Sequence, residues 1–184
     1  MTTAAPHNRC LTPNAPRLET ERLILRGPEP KDAEKVIAFY ADKDRSWGFG
    51  GPISRADAWR WFALSVGHWS MRGYGFLTME LKETGEACGM TGIWDPDGWP
   101  EPEIGWLMFD GFEGKGLAME GALRARQWAF EDLGFTTLTS NILPGNDRSV
   151  ALAERMGAWF EKAYDNPHMG HDHMYRHPGP EAAT

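Results

Sequence analysis

Short apolar segments bounded by turn residues recur along the chain and predict strands. Arg22–Arg26 predicts a first strand, and Phe76–Leu81 and Ala87–Trp94 predict two more, joined by a hairpin turn at Lys82–Glu86. Ile104–Phe109 is apolar on both faces, which is typical of a central strand covered from above and below. These segments indicate a sheet with Ile104–Phe109 near its middle.

Four other segments carry the pattern or the end signals of helices. Asp32 is a candidate N-cap for the first helix, and Ser54-x-x-Asp57 resembles a capping box at the start of the second. The third helix is predicted from about residue 117 to 133, and the fourth over residues 147–156. Two helices thus lie between the first and second strands, and single helices separate some of the later strands.

Three further strands, at residues 137–143, 159–162 and 172–176, complete the order, and no internal repeat is visible. A chain of 184 residues is about one ordinary domain in length. We therefore expect one α+β domain with a mixed sheet over residues 17–178. Residues 1–16 and 179–184 are predicted to be flexible tails.

Charge and composition exclude several classes of protein. Lys and Arg number 19 against 26 Asp and Glu, for a net charge of -7, which argues against a nucleic-acid partner and weakly favours a basic one. No apolar run approaches the roughly 20 residues that span a bilayer, and the first residues do not resemble a signal peptide. Cys10 and Cys88 form no CxxC pair, so we expect a reduced, cytoplasmic setting.

The segment GFEGKGLAMEGALRARQWAF places three glycines and a lysine directly before the third helix. The first amides of a helix lack internal partners and carry partial positive charge, so they favour an anion. Gly114 and Gly116 would let the backbone approach that anion closely, and Lys115 adds positive charge. A phosphate or pyrophosphate is the expected occupant; a glycine turn without a ligand is the alternative. The spacing fits neither a P-loop nor a GxGxxG fingerprint, since Met119 replaces the third glycine.

Glu113-Gly-Lys-Gly-Leu-Ala118 resembles the [QR]-x-x-G-x-[GA] acyl-CoA motif of the GNAT N-acetyltransferases. LETERLILR resembles the opening strand of the ribosomal-protein N-acetyltransferase branch, and Glu103-Ile-Gly-Trp resembles its central strand. Asn146-Asp-Arg-Ser149, with the residues up to Gly157, resembles its helix after the next strand. The resemblance covers about residues 18–178. Glu113 departs from the motif, and we expect no phosphate contact from its side chain.

This resemblance implies the GNAT acyl-CoA N-acyltransferase fold. In it, helices cover both faces of a mixed central β-sheet, and two central strands splay apart to hold acetyl-CoA, the co-substrate. It implies that the backbone of the central strand binds pantetheine through Trp106, Leu107 and Met108. It also implies that pyrophosphate binds to the amides of the glycine turn, at Gly114, Lys115, Gly116, Leu117, Ala118 and Met119.

For the chemistry, an amine acceptor must lose a proton and the departing thiolate must gain one. Many family members use a tyrosine as the acid, but Ala153 stands there in this chain. The resemblance gives Ser149 a hydrogen bond to the sulfur and Asn146 a contact with pantetheine; an ordinary N-cap and third helix residue are the alternative. Glu103 is the candidate base because an apolar cleft would raise its pKa, and a solvated strand-end glutamate is the alternative. Asn141 could face the same cleft.

The glycine-rich segment DRSWGFGGPIS has no periodicity, and we expect a loop there. In the GNAT fold this loop borders the acceptor cleft. Trp47 and Phe49 are therefore candidates for an aromatic wall that contacts the acceptor. Packing within the loop or a contact in a homodimer is the alternative.

Four histidines near the end of the chain, within PHMGHDHMYRHP, raise the question of a zinc site. Adjacent strand residues point to opposite faces, so only His171, His173 and His177 would share one. We therefore predict no metal site. A solvated strand end is expected instead, and the segment is also a candidate for lining the acceptor cleft.

The sequence as a whole predicts an N-acetyltransferase that moves the acetyl group of acetyl-CoA directly to a primary amine. The acceptor is expected to be a protein N-terminal α-amine or a small-molecule amine, with no nucleic acid or membrane involved. A non-catalytic acyl-CoA-binding or interaction domain on the same fold is the alternative.

Overall fold

The computed structural model describes residues 11–180, and within them eight strands form one mixed sheet. The strands lie in the spatial order β1-β2-β3-β4-β5-β6-β8-β7. The elements follow one another as β1 (Leu18–Glu19), β2 (Leu23–Arg26), α1 (Ala33–Ala41), α2 (Lys43–Ser46), α3 (Arg55–Arg72), β3 (Phe76–Leu81), β4 (Ala87–Trp94), β5 (Glu103–Met108), α4 (Leu117–Glu131), β6 (Thr139–Ile142), α5 (Asp147–Arg155), β7 (Trp159–Asn166) and β8 (Gly170–Arg176).

The sheet divides between β5 and β6. All other neighbouring strands are antiparallel, whereas β5 and β6 run parallel and share the single residue pair Glu103–Thr139. Beyond that pair the two strands are linked by side chains, such as Ser140 Oγ, which donates to Ile104 O at 2.6 Å. The α+β class, the mixed sheet and the splayed central strands are thereby confirmed.

Helices cover both faces of this sheet, as expected. On one face α1 and α3 pack on β3, β4 and β5 through an apolar cluster of Val36, Ile37, Phe39, Tyr40, Ala58, Phe62, Phe76, Met90, Leu107 and Phe109. On the other face α4 and α5 pack on the sheet through Leu117, Ala122, Ala125, Trp128, Ala129, Leu152, Ala153, Leu77, Met79, Ile104 and Trp106. Both faces of β5 are therefore buried, which explains its unbroken apolar sequence.

The two predicted helix caps have different outcomes. Ser54 caps α3 as expected, since its hydroxyl accepts from Asp57 N at 3.1 Å. Asp32 also precedes its helix, but its carboxylate does not accept from an amide of that helix. It accepts instead from the Arg26 guanidinium at 2.8 and 3.0 Å and from Thr78 Oγ1 at 2.9 Å. The capping prediction for Asp32 is wrong because a buried cation takes its side chain.

The loop predicted over DRSWGFGGPIS is largely helical. It contains α2 and a 3-10 turn, Trp47–Phe49, and ends at Gly50, whose φ is 76°. Asp42 initiates α2, because its Oδ1 accepts from Asp44 N at 2.9 Å and from Arg45 N at 3.2 Å. The sequence prediction required hydrophobic periodicity for a helix, whereas α2 is started by a side-chain cap.

The ends of the domain differ from the prediction where the structure describes them. Residues 1–10 and 181–184 of the predicted tails lie outside the described residues. Thr12, within the predicted tail of residues 1–16, is only 3% exposed, and Ala15 N donates to Thr12 O at 3.0 Å. Thr12 and Ala15 thus pack against the domain, whereas Pro13 and Asn14 are exposed, and the boundary at residue 17 stays a prediction. The last two strands, β7 and β8, are longer than predicted. Within residues 11–180 no helix is long and apolar enough to cross a membrane.

Candidate active site

A cleft opens where β5 and β6 separate. Its walls come from β5, β6, the start of α5, the turn Trp47–Phe49 and the β7–β8 hairpin. Six of the residues predicted for the site line it together: Phe49, Glu103, Trp106, Asn141, Asn146 and Ser149. These residues are distant in sequence, and the divided sheet brings them to one place.

Glu103 lies at the start of β5, in the wall of the cleft. Its Oε2 accepts from Asn141 N at 3.1 Å and from Asn141 Nδ2 at 2.6 Å. Burial raises the pKa of Glu103 to about 7, the Asn141 hydrogen bonds oppose that rise, and the charge of Asp172 adds to it. A carboxyl group with this pKa is half ionised near neutrality, so it can accept a proton in one step and release it in the next.

A chain of polar side chains holds Asn141 in place. Tyr164 Oη donates to Asn141 Oδ1 at 2.8 Å and accepts from Asn166 Nδ2 at 3.1 Å. Asn166 Nδ2 also donates to Asp172 Oδ2 at 3.2 Å. Burial raises the pKa of Tyr164 and that of Asp172. The phenol therefore remains a donor, and the orientation of Glu103 depends on residues of the β7–β8 hairpin.

The start of α5 forms the opposite wall. Asn146 is the N-cap, and its Oδ1 accepts from Ser149 N at 3.3 Å, as the structural alternative predicted. Within residues 11–180 the Ser149 hydroxyl has no hydrogen-bond partner, so it is available to a ligand. A Cβ added at Gly48 would lie 2.6 Å from Asn146 Nδ2, so the turn Trp47–Phe49 closely approaches this wall. Ala153, which replaces the usual tyrosine, is fully buried.

The glycine turn gives α4 a start that no side chain caps. Gly116 is the N-cap with φ 76°, and the first helical hydrogen bond is from Glu120 N to Gly116 O at 3.1 Å. The amides of Leu117, Ala118 and Met119 consequently lack helical partners. Lys115 Nζ donates to Gly111 O at 2.7 Å, so the lysine folds back over the turn. This geometry leaves three amides without helical partners at the turn where the sequence predicts a bound anion, and anion binding there stays a prediction.

Sequence reasoning missed one cation at the turn. Arg22, on the chain entering β2, donates from Nη1 to Lys115 O at 2.9 Å and from Nε to Glu120 Oε2 at 2.6 Å. Its Nη2 would lie 3.5 Å from a Cβ at Gly116. Arg22 therefore brings a guanidinium to the turn, where the Glu120 carboxylate pairs with it, and only the fold reveals this. Glu113 instead forms an ion pair with Arg45, which fits the expectation that its carboxylate avoids a phosphate.

The backbone hydrogen-bonding groups of β5 point alternately to β4 and to the gap between β5 and β6. Phe109 N donates to Cys88 O of β4 at 2.9 Å, and antiparallel ladders alternate residue by residue. The backbone groups of Leu107 therefore point to β4, whereas those of Trp106 and Met108 point to the gap. Trp106 and Met108 can therefore offer backbone groups to pantetheine. Leu107 cannot, because its backbone bonds to β4 and its side chain lies in the core.

The aromatic wall differs from the predicted one. Phe49 lines the cleft, but Trp47 lies outside the lining and is 39% exposed, since the 3-10 turn directs the two rings differently. Sequence reasoning assigned the other aromatic residues of the cleft to the core or left them unassigned: Trp61, Phe76, Trp94 and Trp99. The first three pack together with ring centroids 5.5 to 6.0 Å apart. Trp94 on β4 lies directly opposite Glu103 on β5. Only the register of these strands identifies the two residues as neighbours.

The clustered histidines differ in their exposure to solvent, and His177 is the buried one among them. His177 is 1% exposed and lies 2.9 Å from Ser140 Oγ and 3.2 Å from Arg126 Nη1. Burial, with the charge of Arg126, lowers the pKa of His177 to about 3, so it stays neutral. Within the described part of the chain, residues 11–180, no three His, Cys, Asp or Glu side chains could together hold a metal ion.

A divided sheet, uncapped amides at a glycine turn and a cleft at the division define an acyl-CoA-dependent transferase. The family model described as an acetyltransferase (GNAT) domain matches residues 22–158, and the chain belongs to this family. Family membership makes it an acetyl-CoA-dependent acyltransferase, and favours an enzyme over the non-catalytic alternative.

Two relatives agree with this assignment, and a third, more distant protein shares the fold. An acetyltransferase structure from Agrobacterium tumefaciens str. C58 has 39% identity and a TM-score of 0.82, covering 88% of this chain and 94% of that one. A Bacillus subtilis protein named "Putative ribosomal N-acetyltransferase YdaF" is 29% identical over 164 residues, 84% of this chain and 90% of that protein. The acetyltransferase MccE, solved in complex with acetyl-CoA and AMP, shares the fold with 17% identity and a TM-score of 0.64, covering 85% of this chain and 92% of that one.

The glycine turn yields a first prediction. Gly116→Ala forces a Cβ into a left-handed conformation, at a cost of about 1–2 kcal/mol, and distorts the amides at the start of α4. We expect acetyl-CoA to bind about tenfold more weakly in a calorimetric titration. Gly134→Ala is the matched control, because Gly134 has φ 74° in open space at the other end of α4. Equal affinities for the two variants would contradict the role of the turn.

Proposed function

We propose that the chain transfers the acetyl group of acetyl-CoA directly to a primary amine. The observation that carries this proposal is Glu103, a carboxyl group with a pKa of about 7 at the mouth of the gap between β5 and β6. An unperturbed alkylammonium has a pKa near 10 and cannot attack a thioester until it loses a proton. Glu103 is placed to accept that proton, directly or through water.

The groups around the gap fit acetyl-CoA. The uncapped amides of residues 114–119, with Arg22 and Lys115, suit a pyrophosphate. The outward backbone groups of Trp106 and Met108 suit the pantetheine amides, as a neighbouring strand would. Asn146 and Ser149, at the start of α5, face the same gap from the other side. The reducing cytoplasm is the location that we propose, because Cys88 is a buried free thiol.

The transfer forms a bond between the amine nitrogen and the acetyl carbon. It breaks the bond between that carbon and sulfur, whose electron pair leaves with the thiolate. The ammonium loses two protons in the course of the reaction. Glu103 accepts one and passes it to solvent, and the other ends on the sulfur. The Ser149 hydroxyl donates a hydrogen bond to the developing thiolate, which lowers the barrier to its departure.

Replacing Ser149 tests the leaving-group step. We expect Ser149→Ala to lower kcat by roughly 100-fold, the low end for proton donors, while the calorimetric affinity for acetyl-CoA changes little. Ser149→Thr is the matched control, since it keeps a hydroxyl at the same backbone position and should retain most of the activity. Turnover of the alanine variant equal to that of the wild type would remove Ser149 from the mechanism.

A further inference from the structure

The cleft contains two carboxyl groups that no lysine or arginine neutralises. Glu103 and Asp172 both line it, and Asp172 is only 1% exposed. Among residues 11–180, neither takes part in an ion pair with a basic side chain. Asp172 accepts hydrogen bonds from Asn166 Nδ2 at 3.2 Å and from His173 N at 3.0 Å. An ammonium group in the cleft would therefore meet two carboxyl groups that have no other cation beside them, and its charge would favour their ionised forms.

Apart from Asn146 and Ser149, which are assigned above to acetyl-CoA, the other lining side chains are apolar or already bonded. Ser140 donates to Ile104 O, and Asn141 bonds both Glu103 and Tyr164. Trp99 Nε1 is directed at the Glu103 carboxyl group and lowers its pKa. The rest of this wall consists of the rings of Phe49, Trp61 and Trp94. Such a wall offers few free polar groups to the successive amides of a peptide, and each amide buried without a partner is costly.

We propose that the acceptor is a small monoamine with a flat aromatic body. Its ammonium group lies between Glu103 and Asp172, and its ring lies among Phe49, Trp61, Trp94 and Trp99. This inference rests on the proposed transfer to an amine and narrows its acceptor from two classes to one. Asp172 binds and orients the ammonium, whereas Glu103 both binds it and removes the proton. Aromatic faces also attract cations, which adds to the selectivity for a charged amine.

The test compares defined probes on the intact protein. We would titrate 2-phenylethylamine, its neutral counterpart 2-phenylethanol, ethylamine and a tetrapeptide with a free N-terminus, and follow binding by calorimetry. Transfer would be followed separately as thiol release from acetyl-CoA. We expect 2-phenylethylamine to bind about 30-fold more tightly than ethylamine, the factor for burying one ring, and at least about tenfold more tightly than the alcohol. We expect kcat/KM to follow the same order, with the tetrapeptide lowest.

Asp172→Asn should raise the KM for 2-phenylethylamine at least about tenfold and leave the KM for acetyl-CoA unchanged. Asp165→Asn is the matched control, because Asp165 lies on the same hairpin with its side chain 93% exposed. If Asp172→Asn does not fold, the comparison of the amine with the alcohol on the wild type still decides the charge requirement. Equal binding of amine and alcohol, or preferred turnover of the tetrapeptide, would overturn this inference and leave transfer to an amine intact. Binding of acetyl-CoA with thiol release from no amine would instead overturn the proposed function.

Discussion

Glu103→Gln is expected to lower kcat by about 1,000-fold, within the usual range for loss of a general base, with little change in the affinity for acetyl-CoA. Glutamine keeps the size of the side chain and an oxygen that can accept from Asn141, so the wall of the cleft should remain in place. What it loses is the ability to take a proton from the ammonium. Steady-state kinetics with a fixed amine and a calorimetric titration of acetyl-CoA would separate the two effects.

The pH profile makes this prediction more specific. Burial raises the pKa of Glu103 to about 7, and only the ionised form can act as a base. In the wild type, kcat/KM for the amine should therefore rise about tenfold per pH unit below 7 and level off above it. Glu103→Gln should lose this rise in kcat/KM below pH 7, whereas Asp165→Asn, at an exposed position of the hairpin, should keep it. A wild-type profile that is flat between pH 5 and 8 would contradict a role for Glu103 as base.

Asp32→Ala is expected to lower the free energy of unfolding by about 3–5 kcal/mol, which is a large share of the stability of a typical domain. Asp32 and Arg26 are 1% and 7% exposed and form two hydrogen bonds, at 2.8 and 3.0 Å. Without Asp32, the Glu80 carboxylate, at 2.8 Å, is the close ion-pair partner that the Arg26 guanidinium keeps. Urea unfolding would measure the loss as a shift in the midpoint.

Glu34→Ala provides the control for this prediction. Glu34 pairs with Arg55 on the surface, where both side chains are more than two thirds exposed. Such exposed pairs contribute little to stability, so the variant should unfold almost like the wild type. If both variants lost the same small amount of stability, the buried pair would not support the fold as described.

The sequence predicted those elements whose signals are local. The bounds of β3 and β4 match the prediction residue for residue, because turn residues mark both ends of each apolar run. Ser54 was recognised as a cap for the same reason. Asp32 was misassigned because its partner, Arg26, belongs to another element. The helix α2 was missed because Asp42 initiates it without any apolar periodicity.

The residues of the candidate site also differ in whether a local sequence signal could identify them. The glycine turn and the pair Asn146 and Ser149 are sequence motifs, and the structure places the latter pair in the cleft with Glu103 and Asn141. Asp172 reaches the cleft through the geometry of the β7–β8 hairpin, Trp94 through strand register and Trp61 through the packing of α3 on the sheet. No spacing in the sequence encodes those neighbours, so a single sequence could not assign them to it.

The single backbone pair between β5 and β6 also bears on how the domain holds together. Hydrogen bonding within the sheet is continuous across β1–β5 and again across β6–β8, but it is nearly interrupted between the two blocks. Cohesion across the boundary thus depends on side chains, such as Ser140 and Asn141, and on the shared apolar cluster beneath α4 and α5. A ligand that spans the boundary adds contacts between the two blocks of strands, so its binding should stabilise the domain as well as occupy a site.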